Sequence, residues 1–481
     1  MNEGCSSSSP VFVERQGGVF AGMLSQDQAA DMFEKLKKHS TADEVEALIY
    51  GGKSALTRFA NNTIHQNVAE EGYSVSVRTA FEGRTARATT SKLDEESLKR
   101  VVQASESLAK VQHPDPDLLP VPGAGESSAQ ARPSRHFAHT ADLTPGLRAD
   151  AVEKIVQVAT RNKLTTAGIF SCSEGVEGIF NSRGLSDWHA HTSSEISVTM
   201  LAGDSSGWQK ANSPDVTQLD PTGLAEISAR KALESARPRE IPAGKYTVIL
   251  EPAAVLELVG FMFFDFGGLS ILDQRSFLNN RVGTQIFGSN INIWDDVADP
   301  LQSGTPFDGE GIPRQRVHLV ENGAVRRLVY ARATAKKMAQ SEYKDMVGPV
   351  APTGHGFSLP NETGEAPMNI VFGAPPDPKT TDQMIASTER GVLVTRLWYI
   401  REVDPYEKIL TGMTRDGTFY VEDGKVRHGI LNFRFNESLI HMLSSVEALG
   451  TPVRASGEES FDMVAPPMKV RDFNFTEVTK F

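Results

Sequence analysis

Apolar side chains recur along the chain in two rhythms. Met32, Phe33 and Leu36 share one helical stripe, and Ser25 with Gln28 just before them has capping-box spacing, so a helix is predicted to start at Ser25. Period-two alternation follows through 45–50, 56–60, 63–68 and 73–79; in the last, Tyr73, Val75 and Val77 face one way and Ser74, Ser76 and Arg78 the other. Asn61-Asn62 tolerates the left-handed backbone of a tight hairpin. A second helix is predicted from about 93 to 110, with Leu98, Val101, Val102 and Leu108 on one face.

Pro114, Pro116, Pro120, Pro122 and Pro133 then mark a linker or a surface-laid loop. Beyond it the pattern recurs: a helix near 147–162, strands at 167–171, 176–181, 185–190 and 196–201, and a helix near 222–236. The turn Asn181-Ser182-Arg183-Gly184 takes the place of Asn61-Asn62, so the two halves read as a quasi-repeat in order of elements. Pro238 and Pro242 mark a second boundary. Strands follow at 246–250, 316–319, 325–330, 368–372, 392–399 and 418–421, with hairpin dipeptides Asn322-Gly323 and Asp423-Gly424 and helical signals at 252–264 and 436–449. The predicted class is α+β: two N-terminal α/β meander units, then a large, mainly antiparallel β domain. The expected divisions are a flexible tail at 1–24, an α+β domain at 25–112, the Pro-rich linker at 113–144, a central α+β domain at 145–240 and the β-rich domain at 241–481.

With 49 basic and 61 acidic side chains the net charge is −12, which disfavours a nucleic-acid or anionic-membrane partner. Cys5 and Cys172 cannot make a disulfide framework or a C-x-x-C zinc pair, which fits a reducing compartment. The first ten residues lack a basic segment followed by an apolar one, and the most apolar stretch, 255–266, carries Glu257 and Asp265 and is too short to span a bilayer. A cytoplasmic location is expected.

His189-x-His191 is the best metal candidate in composition, since i and i+2 share a strand face and Asp187 and Glu195 flank them. The alternation with Trp188 and Ala190 equally describes surface histidines on a half-exposed strand. Asp308 and Glu310 alternate with Gly309 and Gly311, either a water-facing turn or the wall of a cavity. Arg275 can hold a peptide carboxylate through two parallel hydrogen bonds, or pair with Asp273. No Gly-x-Ser-x-Gly elbow is present, and the Gly-x-Gly pairs lack a strand-then-helix context.

Five segments carry a resemblance as a set: Arg-Phe-Ala-Asn-Asn-Thr-Ile-His at 58–65, Ser276-Phe277-Leu278, Pro-Phe-Asp-Gly-Glu-Gly-Ile-Pro at 306–313, Leu-Val-Glu-Asn-Gly at 319–323 and Asn-Phe-Arg-Phe-Asn-Glu-Ser at 432–438. With the apolar helix after 246–250, they make nearly the whole chain resemble the PmbA/TldD family of bacterial and archaeal metallopeptidase-complex proteins. The resemblance implies two homologous subunits enclosing a chamber. In the catalytic, TldD-like one, a helix carries His-Glu-x-x-x-His on zinc, and a cysteine near the C-terminus completes the metal shell. Here Leu256 and Phe261 stand at the imidazole positions around Glu257, and no cysteine follows Cys172. The chain therefore resembles the TldE/PmbA-type subunit without catalytic residues or metal of its own, with zinc expected in the partner. The implied partners are a TldD-like subunit in a heterodimer, a second copy when alone, and extended or unfolded peptides. Arg275, Ser276, Phe277, Asp308 and Glu310 are the implied peptide contacts, with Leu256 and Phe261 expected in the core and Glu257 facing solvent or a cavity. The alternatives are an independent metal-dependent peptidase using His189 and His191, and a protein-binding modulator, for example of DNA gyrase.

Overall fold

The computed structural model describes residues 22–126 and 133–479. The expected capping box is in place: Ser25 Oγ accepts the Gln28 N–H and Gln28 Oε1 accepts the Ser25 N–H, opening α1 (Gln26–His39). Strands β1 (Glu44–Ala60), β2 (Thr63–Phe81) and β3 (Arg84–Thr90) follow, then α2 (Glu95–Val111). After a single turn, α3 (Ala138–Ala141), the series is repeated by α4 (Pro145–Arg161), β4 (Thr165–Asn181), β5 (Ser186–Leu201), β6 (Ser206–Ser213) and α5 (Pro221–Glu234). Each unit is thus helix, three strands, helix.

The two units share one six-stranded sheet, ordered β3-β2-β1-β4-β5-β6, with the antiparallel β1–β4 pair at its centre. Its strands are fewer and longer than the sequence pattern predicts: 45–50 and 56–60 are one strand, and so are 63–68 with 73–79, 167–171 with 176–181, and 185–190 with 196–201. A row of small residues interrupts the hydrophobic alternation, because Gly72, Gly52 and Gly175 lie opposite one another across β2, β1 and β4. Gly52 has φ +153°, and a Cβ there would collide with the Glu174 carbonyl, so the row is a crease that only glycine permits. α1 and α2 cover one side of it through Met32, Phe33, Leu98 and Val102, and α4 and α5 the other through Val152, Ile155, Leu224 and Ala229.

The tail read as 1–24 lies outside the described residues up to position 21; Leu24 is buried and donates its N–H to Tyr73 Oη at 3.1 Å. The Pro-rich segment is outside them at 127–132, but Val121 is buried and donates its N–H to Glu44 Oε2, and Arg332 donates to the Pro120 carbonyl, so that part is laid against the body.

The C-terminal half opens with β7 (Gly244–Leu250), α6 (Pro252–Val259), a 3-10 turn (Gly260–Phe266) and α7 (Gly268–Leu272). Strands β8 (Ile293–Asp295), β9 (Val317–Glu321) and β10 (Ala324–Val325) precede α8 (Arg332–Gln340), β11 (Ile370–Phe372) and α9 (Thr381–Ala386). Then come β12 (Arg390–Val394), β13 (Leu397–Asp404), β14 (Ile409–Thr414), β15 (Thr418–Glu422), β16 (Lys425–Gly429) and β17 (Phe433–Ser438). The chain closes with α10 (Leu439–Ser444), β18 (Val446–Leu449), β19 (Val453–Ala455), β20 (Met463–Ala465) and β21 (Met468–Val478). They build a sheet ordered β10-β9-β8-β11-β20-β19 and a larger one ordered β13-β14-β17-β21-β7-β12-β15-β16, with β18 paired to β21. Most pairs are antiparallel; β7–β12 and β11–β20 are parallel. The α+β reading holds. The main core runs between these sheets and takes in the whole apolar face of α6.

Several expected elements differ: the strand predicted at 325–330 is reduced to β10, and the helix predicted at 252–264 ends at Val259 and continues as the 3-10 turn. The helix predicted at 436–449 is short, because β17 extends to Ser438, whose Oγ caps α10, and β18 starts at Val446. The strand predicted at 392–399 breaks into β12 and β13 where Arg396 turns to pair with Asp416 and stack on Trp208 and Trp398. Among the described residues no helix is long and apolar enough to cross a membrane.

Candidate functional site

Pro252 sits at the first turn of α6, where its missing N–H costs nothing, and the helix runs directly off β7 into the core. Leu256 is fully buried, as expected. Phe261 lies past the helix end, in the 3-10 turn, half-buried against the edge of the main core, where it lines an open cleft of about 540 Å³ with Phe264, Glu458, Glu459 and Phe461. The segment 456–461, between β19 and β20, covers the helix from this side. Gly457 packs on Leu256 and Glu257, and a side chain on Gly260 would collide with Ser460. The segment is itself tied to the N-terminal sheet, since Lys210 Nζ donates to the Gly457 carbonyl at 2.9 Å.

Glu257 faces neither solvent nor a cavity. It is wholly buried, and its two carboxyl oxygens accept the N–H of Leu397 at 3.1 Å and of Glu458 at 2.9 Å. It thereby pins β13 and the covering segment to α6. Burial pushes its pKa up to about 7 against the opposing pull of those N–H groups and of Arg396.

Zinc would need about three protein ligands and an open position. Leu256 and Phe261 have no lone pairs to offer, and Glu257 spends both oxygens on backbone. The segment beside them, Ser456-Gly457-Glu458-Glu459-Ser460-Phe461, contains neither thiol nor imidazole. These residues do not fit the ion. Elsewhere, His189 is buried and His191 partly so, with their rings stacked 5.6 Å apart, so they are not surface histidines. Among the described residues no group of three or more His, Cys, Asp or Glu side chains is arranged to hold a metal.

The five candidate peptide contacts do not converge. Arg275 is exposed and pairs with Asp273 at 2.7 Å. Ser276 is buried and donates to the Asp265 carbonyl, and Phe277 is in the core beside Lys408. Asp308 and Glu310 are buried, which corrects the water-facing turn. Asp308 accepts the N–H groups of Glu310, Ile312 and Gly356, and Glu310 accepts that of Arg332 at the start of α8. Asp308 also lines a cavity of about 420 Å³ between the N-terminal sheet and the 304–314 loop.

Desolvation, then Asp308 and Glu46 nearby, push Glu310 up to about 7. A raised carboxyl pKa means the folded chain binds the proton more tightly, so its stabilising contribution is complete below about pH 4.5 and is lost as pH rises through 7. Glu310→Gln keeps the acceptor without the ionisation. Its stability relative to the parent is expected to rise by up to about 3 kcal/mol between pH 5 and pH 8, read by denaturant melts across that range. A pH-independent difference would contradict the assignment.

Residues 243–477 match the PmbA/TldA metallopeptidase C-terminal domain, and residues 45–109 match domain 1 of the same family. The chain belongs to the PmbA/TldD metallopeptidase family. It is 22% identical over 405 residues to the metalloprotease PmbA of Escherichia coli O157:H7, covering 81% of this chain and 83% of that one. The PmbA homologue of Haemophilus influenzae is 22% identical over 384 residues, covering 76% and 78%. TldE from Thermococcus kodakarensis shares the fold, with a TM-score of 0.81 at 18% identity over 93% of this chain and all of that one. The site that sequence reasoning missed is the clamp on Glu257, whose partners are 140 and 201 residues away in sequence and backbone N–H groups of no particular side chain.

Proposed function

We propose that this PmbA/TldD-family chain is the non-catalytic, TldE/PmbA-like subunit of a two-subunit cytoplasmic zinc metallopeptidase that matures or degrades unfolded peptides. The observation that carries the reading is the state of Glu257. The glutamate that would serve as general base in a zinc-bearing relative is here a buried clamp, flanked by Leu256 and Phe261 and faced by a segment with neither thiol nor imidazole. The chemistry belongs to a homologous partner that holds zinc, which would polarise a peptide carbonyl and activate water. This chain closes the chamber and presents extended substrate, with sheet edges available for main-chain pairing.

Affinity capture of the tagged, full-length chain from its native host tests this. The expected result is recovery of a homologous subunit carrying His-Glu-x-x-x-His, and the recovered pair should cleave an unstructured peptide. Recovery of gyrase subunits, or of this chain alone, would contradict it.

A further inference from the structure

The cavity beside Asp308 has features that neither the family match nor the α6 site accounts for. Its walls carry two opposite charges that are not paired with each other. Tyr50 on β1 and Glu177 on β4 are directly opposite in the sheet register, so their side chains share the face that looks toward the 304–314 loop. Arg314 lines the same cavity from the loop side. Among the described residues neither Glu177 nor Arg314 makes an ion pair, although ordinary salt bridges are frequent elsewhere in the chain.

Thr305 holds the two apart. Its hydroxyl donates to Glu177 Oε2 at 2.6 Å, and its carbonyl accepts Arg314 Nε at 3.1 Å, so the acid and the guanidinium are anchored on either side of one residue. Arg314 Nη1 is buried with no hydrogen-bond partner among the described residues, which is costly unless something completes it. Asp308 and Asp295 attract Arg314 at longer range, but the Asp308 oxygens are taken by three backbone N–H groups, so neither acid gives the guanidinium a hydrogen-bonded partner. At about 420 Å³ the cavity is in the small-molecule range.

We propose that this cavity binds the zwitterionic ends of a short peptide of two or three residues, Glu177 taking the α-ammonium and Arg314 the α-carboxylate. A ligand carrying both charges satisfies the two walls at once; a ligand carrying one leaves the other wall desolvated and unpaired. Tyr50, exposed at the rim, offers a ring face to the ammonium end. The site is distinct from α6 and does not depend on the presence of a catalytic partner.

Isothermal titration of the full-length chain with trialanine, N-acetyl-trialanine and trialanine amide tests the assignment. Free trialanine is expected to bind, with each cap weakening binding by roughly tenfold or more. Glu177→Gln should remove the penalty for acetylation while keeping that for amidation, and Arg314→Met should do the reverse. The capped ligands on the unaltered chain decide the question even if a variant fails to fold. No binding by trialanine up to about 10 mM, or equal binding by free and capped peptides, would overturn the proposal.

Discussion

Replacing Glu257 by alanine is expected to destabilise the isolated chain by about 2–6 kcal/mol, the cost of leaving two buried backbone N–H groups without their acceptor at roughly 1–3 kcal/mol each. The measurement belongs near pH 4.5, the ordinary glutamate value, where little of the ionisation cost set by the raised pKa of about 7 is felt and its relief does not mask the lost bonds. Glu257→Gln retains one acceptor oxygen but turns an amide N–H toward the other donor, and should fall between parent and alanine variant. The ordering matters more than the absolute values. A glutamate kept for proton transfer is replaceable with little loss of stability, whereas a clamp between α6, β13 and the 456–461 segment is not. Denaturant unfolding with unchanged stability for Glu257→Ala would show that the carboxylate does not hold these elements together.

The second large effect is a failure of rescue. The double variant Leu256→His, Phe261→His restores the two imidazole positions, yet it is expected to show no peptide hydrolysis above the blank and no stoichiometric zinc. Leu256 is fully buried, so an imidazole there brings an unsatisfied polar group into the core at about 2–4 kcal/mol. Phe261, at the cleft wall, should accept the change at smaller cost. Even with both rings present, Glu257 remains bound to Leu397 and Glu458, and the facing segment supplies no third strong ligand. Efficient hydrolysis by the double variant alone would mean that the missing ligand comes from elsewhere in the chain.

Much of the fold is legible because local signals are consistent. Ser25 and Gln28 announce α1, and Asn61-Asn62, Asn322-Gly323 and Asp423-Gly424 adopt positive φ at the hairpin tips. The glycine row hid the true length of the N-terminal strands, since Gly51, Gly52, Gly72 and Gly175 look like breaks and are instead a bend within continuous ladders. The pairing of β1 with β4, which fuses the two units into one sheet, joins residues more than a hundred positions apart and leaves no local trace. The acids were the hardest to place. Asp308 and Glu310, set among glycines, have the composition of a solvated turn, and only the approach of Gly356 and the start of α8 reveals that they cap backbone groups inside the protein. Leu256 and Phe261 could be read directly, because the absence of a lone pair is a property of the side chain and not of its surroundings.

The most direct test is the zinc content of the isolated full-length chain, measured by elemental analysis after saturation with zinc and desalting. The hydrocarbon positions and the engaged carboxylate predict far less than one ion per chain and no change in stability on chelation. About one tightly held zinc per chain, lost to chelator together with peptidase activity, would contradict the account.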